Sequence, residues 1–152
     1  MTAPGPHNAW LIAAGVGSAS VALLHVAIVL IGPPAYRYFG AGELAPLAEN
    51  GSLMPAIATA GIALVFATFA AYAFSGAGLL RRLPYGKPVL IAVGGIYTLR
   101  GLLLLRDLFF ILSGKHTAPH MAVFSLVSLL IGIVHLVGTM RLTPKNASEA
   151  KS

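Results

Sequence analysis

Four long apolar segments dominate this sequence, and each is long enough to cross a lipid bilayer. A membrane-spanning helix needs about 20 mostly apolar residues, because the hydrocarbon core is about 30 Å thick and a helix rises about 1.5 Å per residue. Only 9% of the 152 residues are charged, whereas an average soluble domain has roughly 25%. We therefore expect an all-α polytopic integral membrane protein whose four transmembrane helices form an antiparallel bundle. The spans are expected at about 10–32, 53–76, 88–113 and 119–140.

Proline and glycine mark the ends of these segments, because both residues destabilise the interior of a helix. The sequence Gly32-Pro33-Pro34 follows the first span, and Pro119 stands at the first turn of the fourth. Residues 1–9 form a short N-terminal segment, and the small polar side chains of residues 142–152 predict a disordered tail. The first apolar segment is expected to be retained rather than cleaved. The long connection 33–52 is expected to hold a short helical turn at the membrane surface.

The basic residues lie mainly on one side of the predicted bundle, and they predict its orientation. By the positive-inside rule, both termini are expected in the cytoplasm. The expected location of the protein is the inner (cytoplasmic) membrane of a bacterium. Membrane lipid is the expected surrounding partner. Nucleic acid is not expected, because the net charge of +6 is not arranged along one polar face. The predicted inner side carries Arg81, Arg82, Lys87, Arg141, Lys145 and Lys151, and the outer side carries Arg37 and Lys115.

Arg100 is the residue least expected within an apolar span. It lies near the middle of the third span, where an unpaired arginine costs about 2.5–3.5 kcal/mol on insertion scales. Tyr97 and Asp107 follow the helical period on the same face as Arg100, so this face is expected to point into the bundle, with Asp107 close to the outer boundary. Arg106 lies on another face and is expected to reach the outer headgroups or a carboxylate of the long connection.

Estimates of depth suggest partners for Arg100. Its guanidinium is expected about 13 Å above the inner edge of the membrane, and the ring of His135, on a span of opposite direction, at about 12 Å. Contact between these two side chains is therefore compatible with the sequence. Tyr72 and Thr68 on the second span fall in a similar layer, and His25 falls somewhat higher.

Two interpretations of this polar layer are open. In the first, it lines a pocket that binds, and transports, a small anionic or amphipathic molecule such as a lipid. In the second, it only fixes the packing of a non-catalytic assembly or accessory subunit. The candidate ligand-binding residues are Arg100, Tyr97, Tyr72, His135, Thr68, Asp107 and His25.

Cofactors and catalysis have less support in the sequence. The chain has no cysteine, and we find no nucleophile with its base and no carboxylate pair, so an enzyme is not the favoured class. A haem needs two histidines at nearly equal depth, but His25 and His135 differ by about 7–10 Å. His116 and His120 are candidates for a surface metal site, although Pro119 argues against one helix through both. Haem or metal binding is kept as a second alternative, and no cofactor is expected.

Small residues predict where the helices approach one another. The second span carries alanines at spacings of three and four, which predicts one thin face for close packing. The same alanine and glycine faces also allow a homo-oligomer. The alanines of this predicted face are Ala56, Ala60, Ala63, Ala67 and Ala71.

Overall fold

The computed structural model describes residues 7–114 and 118–142, and long helices make up most of this part. Four of the helices described there are long and apolar enough to cross a membrane, with mean hydropathies of 2.2, 1.9, 1.8 and 2.3. The prediction of an all-helical chain with four such helices is confirmed. The helices are α1 (Ala9–Ile31), α2 (Pro33–Tyr38), α3 (Ala45–Glu49), α4 (Met54–Gly76), α5 (Gly86–Leu112) and α6 (Pro119–Met140).

The four long helices pack as two close pairs. α5 has its most extensive contacts with α6, and α1 with α4, while contacts between α1 and α6 join the pairs. α4 touches α5 much less. Lipid gives helices no hydrophobic reason to associate, so close backbone approach and polar contacts must hold them together.

Glycines allow the close approach of α5 to α6. A Cβ atom added to Gly101 would lie 2.5 Å from the Cα atom of Leu129, and one added to Gly132 would lie 2.7 Å from the backbone nitrogen of Thr98. Both distances are far shorter than van der Waals contact. The two backbones therefore touch directly at these positions, as in other membrane helix pairs with small residues at the interface.

Buried contacts also tie the ends of α1 to its neighbours. At the N-terminal end, Asn8 caps the helix by accepting from the Leu11 amide at 3.2 Å, and its Nδ2 donates to the Gly138 carbonyl of α6 at 2.8 Å. At the C-terminal end, Ile28 packs against Tyr36 and Ala45 of the connection to α4. α1 is therefore held at both ends by other elements.

The connection between α1 and α4 is folded against the bundle. It comprises α2, a 3-10 turn at Gly42–Leu44 and α3. Tyr38 of α2 stacks on the His120 ring at 4.4 Å, and His120 Nε2 lies 2.9 Å from the Tyr38 carbonyl, so the connection is docked on the first turn of α6. Arg37 forms an ion pair with Glu49 within the connection.

The predicted alanine face of α4 matches the observed interface only in part. Ala63 is buried, but Ala60 and Ala67 are exposed, and Ala70 and Ala73 are buried instead. α4 is apolar on all sides, so its sequence has no polar face to indicate which side turns inward. Residues 1–6, 115–117 and 143–152, including His116 and most of the predicted tail, lie outside the described residues.

Replacing Gly101 by alanine should destabilise the α5–α6 pair. We expect Gly101→Ala to lower the free energy of unfolding by about 1–3 kcal/mol, because the new methyl group would overlap the α6 backbone. Gly95→Ala is the matched control on the same helix, since an added Cβ there meets nothing within 4 Å. Unfolding of both variants in mixed detergent–SDS micelles, followed by circular dichroism, measures the difference. Equal stability of the two variants would contradict the close approach.

Candidate functional site

A polar network joins α5 to α6 through one serine. Ser125 Oγ donates to Asp107 Oδ2 at 2.7 Å and accepts a hydrogen bond from Arg100 Nη1 at 2.9 Å. Asp107 is 1% exposed and Ser125 is fully buried. Arg100 and Asp107 lie seven residues apart on α5, so two helical turns bring both side chains to the same side of that helix. The serine therefore links both charged groups across the interface.

Arg106 completes this network. Its Nη2 lies 2.9 Å from Asp107 Oδ1, and its side chain is 55% exposed. Arg106 thus forms an ion pair with its neighbour in sequence and not with a carboxylate of the long connection. Its expected contact with the headgroups stays a prediction. The long arginine side chain reaches around the helix to the adjacent carboxylate. Glu49 of the connection pairs with Arg37 instead.

The network contains more positive than negative charge. The network contains two guanidinium groups and one carboxylate, which leaves one formal positive charge; Arg106 pairs with Asp107 directly, and Arg100 is joined to it through Ser125. Arg100 is half-buried, and its Nε and Nη2 atoms have no hydrogen-bond partner among the described residues, although neither atom is buried. At its outer edge, meaning the side away from the helix interface, the network therefore has a net positive charge and guanidinium donors without a partner among the described residues.

A second cluster lies deeper between α1, α5 and α6. The Tyr97 hydroxyl donates to Ser18 Oγ at 3.1 Å, and the Tyr97 ring stacks on His135 with centroids 5.5 Å apart. His135 Nδ1 lies 3.0 Å from the Ile131 carbonyl, which can only accept, so Nδ1 carries the proton. His135 Nε2 is buried and has no partner among the described residues. This cluster is apolar in its surroundings and closed to solvent.

The two clusters divide the residues that the sequence placed in one layer. Arg100 bonds to Ser125 and not to His135, while Tyr97 lies with His135. The depths expected for Arg100 and His135 were similar, but these two side chains have different partners. The rotation of each helix about its axis decides which side chains meet. Asp107 belongs to the Arg100 network.

The remaining candidates lie in neither cluster. Thr68 is exposed and donates to the Leu64 carbonyl of its own helix at 2.9 Å. Tyr72 is partly buried against the cluster of apolar residues around Leu11. His25 Nδ1 lies 2.8 Å from a carbonyl of its own helix. Thr68 and His25 therefore form hydrogen-bond contacts within their own helices, whereas Tyr72 packs against residues of more than one helix.

Aromatic rings fill the space between the two intramembrane histidines. His25 contacts the Phe66 ring at 5.1 Å, Phe66 contacts Tyr97 at 5.7 Å, and Tyr97 contacts His135. A haem between these histidines would have to displace both intervening rings. His120 packs on Tyr38, and the described residues contain no group of three or more His, Asp or Glu side chains that could hold a metal ion.

A groove lies on the bundle away from the Arg100 network, and its lining residue Thr139 bonds to the His135 carbonyl. Its volume is about 420 Å³, and it opens between the N-terminal end of α5 and the C-terminal end of α6. It does not contain any of the ligand-binding residues that the sequence suggested. Its lining residues are Lys87, Ile91, Leu136, Thr139 and Met140.

Ser125 and Ser18 are the polar residues of these clusters that the sequence did not single out. One pattern on α6 would have pointed to Ser125. Ser125, Gly132 and Thr139 recur every seven residues, and all three are buried on the face toward α5 or α1. A repeat of small and polar residues at this spacing is typical of one buried helix face.

Removal of the Ser125 hydroxyl should weaken the α5–α6 network. We expect Ser125→Ala to lower the free energy of unfolding by about 1–2 kcal/mol, because Asp107 and Arg100 both lose a partner in a water-poor interior. Ser128→Ala is the matched control, since Ser128 bonds only to the Phe124 carbonyl of its own helix. A change below about 0.5 kcal/mol is expected there. Unfolding in SDS compares the pair, and equal losses would contradict a bridging role for Ser125.

Comparison with other proteins adds no constraint on these clusters. No protein-family model, no curated protein and no solved structure matches the chain. The contacts and charges of the two clusters are therefore the basis on which a function is inferred.

Proposed function

We propose that this chain is a bacterial inner-membrane protein that binds a small anionic or amphipathic molecule at the outer edge of the Arg100–Ser125–Asp107–Arg106 network. The observation that carries the proposal is the charge imbalance, since the network contains two guanidinium groups and only one carboxylate. The four apolar helices support a location in lipid. In that medium an uncompensated charge is far more costly than in water.

The arginine donors favour an anion over a neutral molecule. A guanidinium without a partner costs about 2.5–3.5 kcal/mol in the middle of a bilayer on insertion scales. A carboxylate or phosphate bound to Arg100 and Arg106 offsets part of this cost. The two oxygens of such an anion also accept the paired N–H groups of a guanidinium, whereas a hydroxyl offers a single oxygen.

The surface next to the two arginines is apolar, which favours an anion with a hydrocarbon tail. Leu99 is 69% exposed and Leu105 is 68% exposed on the same helix. A tail lying along them stays in hydrocarbon while the charged group contacts the arginines. We place the molecule on this edge rather than inside the bundle, because Phe66 and Tyr97 fill the interior next to His135.

A role as an assembly or accessory subunit is the second candidate. The observation in its favour is that Asp107 and Ser125 are fully paired by protein groups. Such a network needs no ligand to be stable, and it fixes how α5 rotates against α6. The two candidates differ at the remaining donors of Arg100, which contact a bound anion in the first candidate and no ligand in the second.

The proposal includes an orientation. We propose that the long helices alternate in direction, with both termini in the cytoplasm. The contacts of the ends of α1 support the alternation, since its first turn meets the last turn of α6 through Asn8 and Gly138. The charges support the direction, because Arg81, Arg82 and Lys87 lie on the connection and first turn between α4 and α5, whereas Arg37 is the one basic residue on the connection between α1 and α4.

Labelling of single cysteines tests the orientation. The chain has no native cysteine, so Ser52→Cys and Leu80→Cys each introduce one thiol, both at exposed positions. A maleimide that does not cross membranes should label Ser52→Cys in intact cells, because this connection is proposed to be external. Leu80→Cys should react only after the cells are permeabilised. The reverse pattern would contradict the proposed orientation.

Thermal stability of the detergent-purified protein tests the anion site. Dodecanoate should raise the melting temperature, and at 100 times its Kd the stabilisation is about 2.7 kcal/mol. Dodecanol, with the same tail and no charge, should leave it unchanged. Arg100→Leu should abolish the dodecanoate shift, and Arg106→Gln is a second variant that keeps the bond from Arg100 to Ser125. Arg37→Leu, in the connection, is the control and should retain the shift.

Three results would contradict anion binding at this site. Equal shifts with dodecanoate and dodecanol would indicate nonspecific detergent-like binding. An equal dodecanoate shift in wild type, Arg100→Leu and Arg106→Gln would place the anion elsewhere. Absence of any shift in wild type, together with a strongly destabilised Arg100→Leu variant, would favour the assembly subunit.

A further inference from the structure

We propose that the groove between α5 and α6 binds one anionic phospholipid, with the phosphate on Lys87 and the start of an acyl chain along the groove. This site is separate from the Arg100 network. Lys87 and Asp107 lie 20 residues apart on α5, which corresponds to about 30 Å along the helix. The inference does not depend on the function proposed for Arg100.

The shape and lining of the groove fit the part of a lipid that lies at the membrane surface. Its volume of about 420 Å³ is within the roughly 300–1,000 Å³ of small-molecule sites. Lys87 is exposed at the first turn of α5, and Ile91 lies one turn deeper. Met140 and Leu136 have the same relation on α6. The groove therefore has a cation at its mouth and apolar walls within it.

The charges around the groove favour an anionic lipid over a zwitterionic one. Arg81 lies on the connection before α5 and Arg141 follows α6, so both add positive charge near Lys87. Among the described residues, the carboxylates Glu43 and Glu49 lie on the α1–α4 connection, and Asp107 lies 20 residues beyond Lys87 on α5. A phosphate near Lys87 therefore meets positive charge without a competing carboxylate from this part of the chain.

The elements that form the groove are held in place by buried contacts. Ser75 Oγ donates to the Arg81 carbonyl and accepts from the Leu83 amide, each at 2.9 Å, which fixes the connection between α4 and α5. Thr139 is 1% exposed, and its hydroxyl donates to the His135 carbonyl at 2.7 Å. Arg141 lies over the Trp10 ring at 5.1 Å. The lipid would therefore meet a preformed surface, which lowers the cost of binding it.

Native mass spectrometry of the full chain in detergent micelles tests the site. The probes are phosphatidylglycerol and phosphatidylcholine with identical acyl chains. We expect the first lipid bound to be phosphatidylglycerol, and Lys87→Gln to lower its affinity by about fivefold, the effect of one basic residue near the surface. Arg81→Gln is the matched control, because it removes one positive charge from the connection just before α5, at a residue that does not line the groove. It should lower the affinity by less than about twofold.

Further variants distinguish a lipid-binding groove from diffuse positive charge and from a simple anion site. Ile91→Trp, at a position that is 50% exposed, should fill the groove and weaken binding of both lipids while Lys87 remains. Arg100→Leu should leave phosphatidylglycerol binding unchanged, so failure of the anion site at Arg100 does not affect this result. Equal losses in Lys87→Gln and Arg81→Gln would overturn the proposal in favour of diffuse charge. Full competition by inorganic phosphate would overturn it in favour of a simple anion site.

Discussion

The direct contact between the backbones of α5 and α6 is the constraint on which the other polar contacts depend. Gly101 lies against the backbone of Leu129, and Gly132 lies against Thr98. At this separation the short side chain of Ser125 can reach Asp107 and Arg100 together. A wider spacing would leave the carboxylate buried without its serine partner, which is expensive in lipid. Backbone contact and the polar network therefore stabilise the same helix pair.

The two polar clusters differ in burial and in charge. Tyr97 and His135 are buried in the bundle and form neutral contacts, which fix the packing of α5 and α6 against α1. The Arg100 network instead has an excess of positive charge and a half-exposed Arg106 at its edge. Charge that faces the surroundings can be compensated by a molecule from outside the protein, whereas the interior cluster offers no such access. For this reason we propose ligand binding at the network and a packing role for the interior cluster.

The helices can be predicted from the sequence because each apolar segment ends at proline, glycine or charged residues. The common face of Arg100 and Asp107 also follows from helical spacing within one segment. The partners across the interface cannot be predicted, because they depend on how each helix rotates about its axis. α4 illustrates this limit: it is apolar all round, and Ala60 and Ala67 of its predicted packing face are exposed. Ser125 is one of several serines in apolar spans, and only its spacing to Gly132 and Thr139 distinguishes it.

The proposed anion sites use positive charge in two different media. Arg100 and Arg106 lie in the C-terminal half of α5, and the proposed site places Arg100 in hydrocarbon, which strengthens charge interactions and excludes salt. Lys87 lies in the first turn of the same helix, where water and ions screen its field within about 8–10 Å. A site at the first position can select by charge and by donor geometry. A site at Lys87 must also select its ligand by shape, and the apolar groove between Ile91 and Leu136 provides that selection. One helix can therefore hold an amphipathic anion beside its C-terminal half and a phospholipid at its N-terminal end without the two sites competing.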